Sequence, residues 1–180
     1  MKQLYFIRHG ESEFNRSNRW TGSTDVRLTE TGHEQARLAG VQMRDLGLNF
    51  DIIISSPLKR ARQTAEHIAH SLSYPVDEIE ILDDLVERDF GKLEGKKSLI
   101  AATRYLIDES AIDKHENVEK LSDLQTRVNS VLEYLQALPH DNVLVVGHGA
   151  FGRALRRAVK NHPLHVRGKS FSNAEFERLI

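Results

Sequence analysis

Two kinds of hydrophobic pattern take turns along this chain. Leu4-Tyr5-Phe6-Ile7, Phe50 with Ile52-Ile53-Ile54, and Val143-Leu144-Val145-Val146 are short apolar runs, and each reads as a buried strand. Residues 76–82 predict a further strand, weakened by interrupting acidic residues, and 174–180 a last one. Between them apolar residues recur at helical spacing. A helix capped at Thr29 carries Ala36, Ala39, Val41 and Met43 through about Leu46, where Gly47 stops it. A second begins near Pro57, a residue suited to a first turn, and carries Ala61, Ala65, Ile68 and Leu72. Leu121, Leu124, Val128, Val131, Leu132 and Leu135 mark a third over 121–138, and a fourth covers 150–160. Strands alternating with helices imply an α/β fold, a mostly parallel central sheet with helices on both faces. Residues 17–25 and 85–95 are turn-rich loops, and 96–120 is a polar, helix-leaning insertion expected to lie over the sheet.

At 180 residues the chain suits one domain over 1–180 with a substantial core. Its 39% hydrophobic and 28% charged content is ordinary for a globular protein and singles out no class. A net charge of −1 removes any whole-protein reason to expect nucleic acid or an anionic membrane as partner. The absence of cysteine excludes a disulfide framework and a thiolate metal site. No apolar run approaches membrane-spanning length and Leu4–Ile7 is too short for a signal peptide, so a reducing cytoplasm is the expected setting; a monomer or homodimer is expected. Nine histidines are a high count. His33, His67, His70, His115, His140, His162 and His165 fall on polar or helix-surface stretches and are expected to be solvated, as are Arg157, Lys160 and Arg167.

His9 and His148 differ, because each follows a buried strand directly. In a parallel sheet the carboxyl ends of the strands share one edge, so Arg8-His9-Gly10, the segment from Ser55 to Arg60, and Gly147-His148-Gly149 can converge. Glu87, in the loop after the third strand, can join them. Arg62, two residues beyond Arg60, is expected on a different side of its helix. Two imidazoles, two guanidiniums and one carboxylate fit phosphoryl transfer, in which positioning and charge neutralisation dominate. A neutral nitrogen of His9 can attack phosphorus, Arg8 and Arg60 neutralise the equatorial oxygens, and Glu87 can protonate the leaving oxygen. His148 fits as a further donor, expected to act in its charged form. A plain strand end with an incidental His9 is the structural alternative. A metal held by His9, His148 and Glu87 is another, opposed by the two arginines that would repel a cation.

These residues also fall in an order that resembles the histidine phosphatase superfamily, the phosphoglycerate mutase-like family, over nearly the whole length. The matching segments are Phe6-Ile7-Arg8-His9-Gly10-Glu11-Ser12 with Asn15, Asn18-Arg19-Trp20-Thr21-Gly22, and Leu28-Thr29 with Gly32, Gln35 and Ala36. They continue with Ser55-Ser56-Pro57-Leu58, Arg60-Ala61, Gln63-Thr64-Ala65, Leu85 and Glu87 with Gly91, Glu94 and Gly95, and Val146-Gly147-His148-Gly149. The resemblance implies a three-layer α/β sandwich, His9 as phosphorylated nucleophile and Glu87 as proton donor. It implies Arg8, Arg60 and His148 as the phosphate pocket, lined by Asn15, Thr21 and Gly22. No metal or organic cofactor is implied.

Departures from the family narrow the expectation to a phosphatase for a small phosphorylated metabolite. The mutase branch is longer, with a Tyr soon after the acid and an arginine pair in the following insertion. Here Phe90 takes the Tyr position, and 96–120 offers Arg104 with Lys96 and Lys97. Val118-Glu119-Lys120 stands where many members have Gly-Glu-Ser. The branch that dephosphorylates protein histidines typically needs no acid, so Glu87 argues for a phosphomonoester. Mutase-type transfer and a phosphate-binding module are the alternatives.

Overall fold

Side-chain alternation along three central strands divides the core in two. In the computed structural model, which describes residues 3–97, 112–162 and 169–180, these strands are β1 (Gln3–Arg8), β2 (Ile52–Ser55) and β4 (Asn142–Gly147). Leu4, Phe6, Ile52, Ile54, Val143 and Val145 belong to one cluster, and Tyr5, Ile7, Ile53, Leu144 and Val146 to the other. A period of two sends successive side chains to opposite faces, so both faces of the sheet need cover. Helices α2 (Glu30–Asp45) and α3 (Lys59–Leu72) cover the Tyr5 face with Ala39, Met43, Ala61, Ala65 and Ile68. Helices α4 (Leu121–Ala137) and α5 (Gly149–Val159) cover the Phe6 face with Leu124, Val128, Val131, Phe151 and Leu155. Burying each large side chain contributes about 1.5–3 kcal/mol, and the two faces together make the three-layer sandwich expected from the sequence.

Strand order is β3-β2-β4-β1-β5, where β3 is Glu80–Ile81 and β5 is Phe176–Arg178. The first four strands run parallel, and β5 joins β1 antiparallel. Register decides which residues meet at the carboxyl edge of the sheet. Arg8 lies opposite Gly147 and Ser55 opposite Val146, so His9, Ser56 and His148 leave that edge side by side. The turn after β1, with the single-turn helix α1 (Glu13–Arg16) beyond it, is held there by close backbone contact with α2. A Cβ on Gly10 would stand 2.3 Å from the Gly32 carbonyl oxygen, and one on Gly32 would stand 2.0 Å from that of Glu11.

Four expectations are corrected. The strand expected over 76–82 shrinks to Glu80–Ile81, because Val76–Glu78 close a 3-10 turn behind Pro75, whose nitrogen has no hydrogen for a ladder. His33 and His67 are half-buried and not fully solvated, since α2 packs on α3 and brings His33 Nδ1 to 2.8 Å from His67 Nε2. Burial, reinforced by His33, pushes the His67 pKa down. Arg157 is buried at the end of α5, while Lys160 is exposed and reaches Glu177 at 3.4 Å. The end of the insertion is not a simple cover, because Ile112 enters the Phe6-face core and Val118 is buried as well. The rest of that region, Arg104 included, lies outside the described residues, as do His165 and Arg167. Among the described residues no helix is long and apolar enough to cross a membrane.

Candidate active site

The backbone fixes the protonation of His9. Its N–H donates to the Gly147 carbonyl at 2.9 Å, which ties the residue to the end of β4. Its Nδ1 lies 2.6 Å from the Gly10 carbonyl oxygen. A carbonyl can only accept, so Nδ1 carries the proton and Nε2 keeps the lone pair. The Gly10 N–H donates to Thr64 Oγ1 at 3.1 Å, and Thr64 donates onward to the Arg60 carbonyl at 2.7 Å. Turn and helix α3 are thereby locked together beneath the ring.

Arg60 is fully buried in the first turn of α3, whereas Arg62 is exposed. Its Nε donates to His9 Nε2 at 3.3 Å, Nη1 to the Thr24 carbonyl at 2.8 Å, and Nη2 to the Gly22 carbonyl at 2.7 Å. Neutral carbonyls orient the guanidinium without cancelling its charge, leaving that charge for an anion. Burial pushes the Arg60 pKa down to about 10, against the opposing pull of Glu87, Asp25 and Glu94. Arg8 is held in a similar way, with Nη1 donating to the Phe171 carbonyl at 2.8 Å.

His148 is fully buried, its ring centroid 5.2 Å from that of His9. Nε2 lies 2.8 Å from Ser56 Oγ. Among the described residues Nδ1 has no hydrogen-bond partner, and neither has the buried Thr21 hydroxyl. The expectation of a charged His148 is corrected. Burial, then the charges of Arg60, His9, Arg8 and Arg127, hold its pKa well below the ordinary imidazole value. Below about pH 6.5 the folded protein therefore binds fewer protons here than the unfolded chain, and stability falls as pH falls. Unfolding in urea should show a loss between pH 7.5 and 5.5, with a limiting slope of about 1.4 kcal/mol per pH unit from this group. His148→Gln should lose less over the same interval. Equal losses in the two proteins would show that His148 titrates as a solvated imidazole.

Glu87 closes the site from the loop after β3. Its Oε1 accepts from the N–H groups of Arg88 at 2.9 Å, Ala150 at 3.1 Å and Phe151 at 3.0 Å, while Oε2 shares only Ala150, at 3.0 Å. Helix α5 has no side-chain cap of its own, so this carboxylate satisfies amides that begin it. Asp83, Asp84 and Asp89 in the same loop are exposed. Asn15 accepts through Oδ1 from the Ser12 N–H at 3.2 Å and from Asn173 Nδ2 at 3.0 Å, which leaves its amide hydrogens as the donor end. The structure thus brings His9, Arg60, His148 and Ser56 into one contiguous network, with Arg8, Asn15, Thr21, Gly22 and Glu87 anchored around it. Among the described residues no group of three or more His, Asp or Glu side chains is arranged to hold a metal ion.

The family model of the histidine phosphatase superfamily (branch 1) matches residues 4–179. The chain belongs to this superfamily. Across 97% of its length it is 35% identical to an uncharacterized phosphatase, PhoE, of Bacillus subtilis, covering 86% of that protein. It is 36% identical to a 2,3-bisphosphoglycerate-dependent phosphoglycerate mutase of Brucella melitensis, over 88% of this chain and 82% of the mutase. Among solved structures it superposes on a phosphoserine phosphatase of Entamoeba histolytica, in complex with 3-phosphoglyceric acid, with a TM-score of 0.78 and 27% identity. That match covers 98% of this chain and 89% of the other.

Two supports of this histidine phosphatase site were missed as supports in the sequence. Glu94 accepts from the Ser23 N–H and Thr24 N–H, both at 2.8 Å, from both hydroxyls, and from the Phe90 N–H at 3.1 Å. It braces the loop whose carbonyls orient Arg60. Burial opposes its ionisation, but hydrogen bonds from Thr24, Ser23 and Phe90 outweigh burial and lower the pKa. Its place between Gly91 and Gly95 was the available signal. Asn173 donates to the His9 carbonyl at 3.1 Å as well as to Asn15. No local pattern marks it, because only the pairing of β5 with β1 brings it there.

Proposed function

We propose that this protein is a phosphomonoester hydrolase for a small phosphorylated metabolite, working through a phosphohistidine at His9. The observation that carries this reading is the His9 tautomer, an Nε2 lone pair facing a guanidinium whose hydrogen bonds among the described residues go to neutral carbonyls and to this nitrogen. Nε2 attacks phosphorus in line, and the bond from phosphorus to the ester oxygen breaks. Arg8, Arg60 and His148 stabilise the charge on the equatorial oxygens, with Asn15, Thr21 and Gly22 lining the pocket. Glu87 delivers a proton to the departing alkoxide, from Oε2, the oxygen less engaged by the end of α5. Water then attacks the phosphohistidine while Glu87 takes its proton, releasing inorganic phosphate and restoring His9. The reading needs no metal or organic cofactor and takes the protein to be a cytoplasmic monomer or homodimer.

The relative named as a mutase supports a second reading, transfer of the phosphoryl group back to a glycerate. Phe90 and the loss of an arginine pair from 96–120 favour hydrolysis. Purified protein in EDTA should release inorganic phosphate from p-nitrophenyl phosphate and from members of a panel of phosphorylated sugars, glycerates and phosphoserine. It should form no 2-phosphoglycerate from 3-phosphoglycerate with 2,3-bisphosphoglycerate. Formation of 2-phosphoglycerate without net phosphate release would establish the mutase. No turnover by folded protein would leave a binding module.

A further inference from the structure

We propose that Ser56 is a positioning residue that fixes which ring nitrogen of His148 carries its proton, so that His148 meets the transferring phosphoryl group as an Nδ1–H donor. The proposal rests on the phosphatase reading above. Ser56 follows β2 directly and is fully buried, its N–H donating to the Val146 carbonyl at 3.1 Å. Its Oγ accepts from the Leu58 N–H at 3.3 Å and lies 2.8 Å from His148 Nε2.

Two proton arrangements fit that short contact. If Nε2–H donated to Ser56, Oγ would accept twice and its own hydrogen would need another acceptor. Among the described residues Oγ makes no further hydrogen bond, so a buried hydroxyl hydrogen would go unsatisfied. The same arrangement would leave a bare lone pair on the buried Nδ1, where under the phosphatase reading a phosphate anion binds. If instead Ser56 O–H donates to Nε2, every hydrogen has a use. Leu58 satisfies Oγ, Oγ satisfies Nε2, and the Nδ1–H, unpartnered among the described residues, remains for the phosphoryl oxygens. The His9 ring, 5.2 Å away between centroids, carries the phosphoryl group next to it. Because His148 is held neutral by burial and its cationic neighbours, the choice of tautomer decides whether it donates to that group at all. His9 is set by a backbone carbonyl, whereas His148 is set by a side chain that substitution can remove.

The test reads the tautomer directly. Long-range proton–nitrogen NMR spectra of protein labelled with 15N-histidine, assigned with His148→Gln, should show Nδ1–H at His148 at pH 7.5. Addition of inorganic phosphate should shift that signal. In Ser56→Ala the preference for Nδ1–H should disappear, inorganic phosphate should bind about 10-fold more weakly, and kcat for p-nitrophenyl phosphate should fall about 10- to 100-fold. Ser56→Thr, which keeps the hydroxyl, should keep the Nδ1–H signature. An Nε2–H tautomer in the native protein overturns the proposal, and that measurement needs no variant. Persistence of Nδ1–H with undiminished phosphate affinity in Ser56→Ala overturns it too. The spectra and the phosphate titration require no turnover, so they judge Ser56 separately from the phosphatase reading.

Discussion

His9→Ala should lower turnover on the order of 10⁵-fold, since removing a nucleophile abolishes the whole covalent route and not one contact. The residual rate would come from Arg8, Arg60 and His148, which still bind and polarise the phosphate. The native enzyme, quenched during turnover of a phosphorus-labelled substrate, should carry label on His9 in an adduct that survives base and decays in acid. The geometry names the atom as well. Gly10 holds the Nδ1 proton, so the adduct should be the Nε2 isomer. Label at another residue, or near-native activity in His9→Ala, would refute the covalent mechanism.

Glu87→Gln should cost about 10²- to 10⁴-fold in the release of an alcohol from an alkyl phosphate, whose oxygen leaves as a strongly basic alkoxide. The amide oxygen of Gln can still accept from Ala150 and Phe151, so α5 keeps its cap while the proton donor is lost. p-Nitrophenyl phosphate leaves as a stable phenolate and needs little help, so its burst of nitrophenolate should be nearly unchanged. Under the proposed mechanism steady-state rates would mix in hydrolysis of the phosphohistidine, which would also use Glu87, and only the burst would isolate the first step. Equal burst losses on both ester types would show that the carboxylate serves only as a helix cap. The acid would then have to be sought among Asp83, Asp84 and Asp89, which are exposed.

The framework was legible in the sequence because it rests on local patterns. Apolar runs located β1, β2 and β4, and the polar residues directly after them proved to share one edge of the sheet. Register explains this, since parallel strands of similar length deliver their next residues to one level. The segment over 76–82 misled because its apolar residues serve a 3-10 turn and a two-residue edge strand, which composition does not separate from a full strand. His33 and His67 looked solvated because nothing on either helix alone reveals that α2 and α3 press their rings together. The charge of His148 escaped for a similar reason. Its burial, and the repulsion from Arg60, His9 and Arg8 brought in from distant parts of the chain, exist only after folding. Glu94, Phe171 and Asn173 act through carbonyl, hydroxyl and amide contacts to other loops, a kind of bond that leaves no period in the sequence.

The bracing of Arg8 by Phe171 and of His9 by Asn173 links residues 163 and 164 positions apart. Both partners of β1 in the sheet also lie far along the chain, in strands beginning at Asn142 and Phe176. Strand β1 is thus made well before either of its neighbours. While the nascent chain waits, Leu4-Tyr5-Phe6-Ile7 is an apolar segment with open ladder positions, the kind of surface that chaperones shield and that non-local topology exposes for longer. The same delay bears on the candidate site. His9 is made well before Asn173, and its surroundings are complete only when the segment around Asn173 has been made and docked. A site assembled from such distant segments is complete only once β5 has docked on β1.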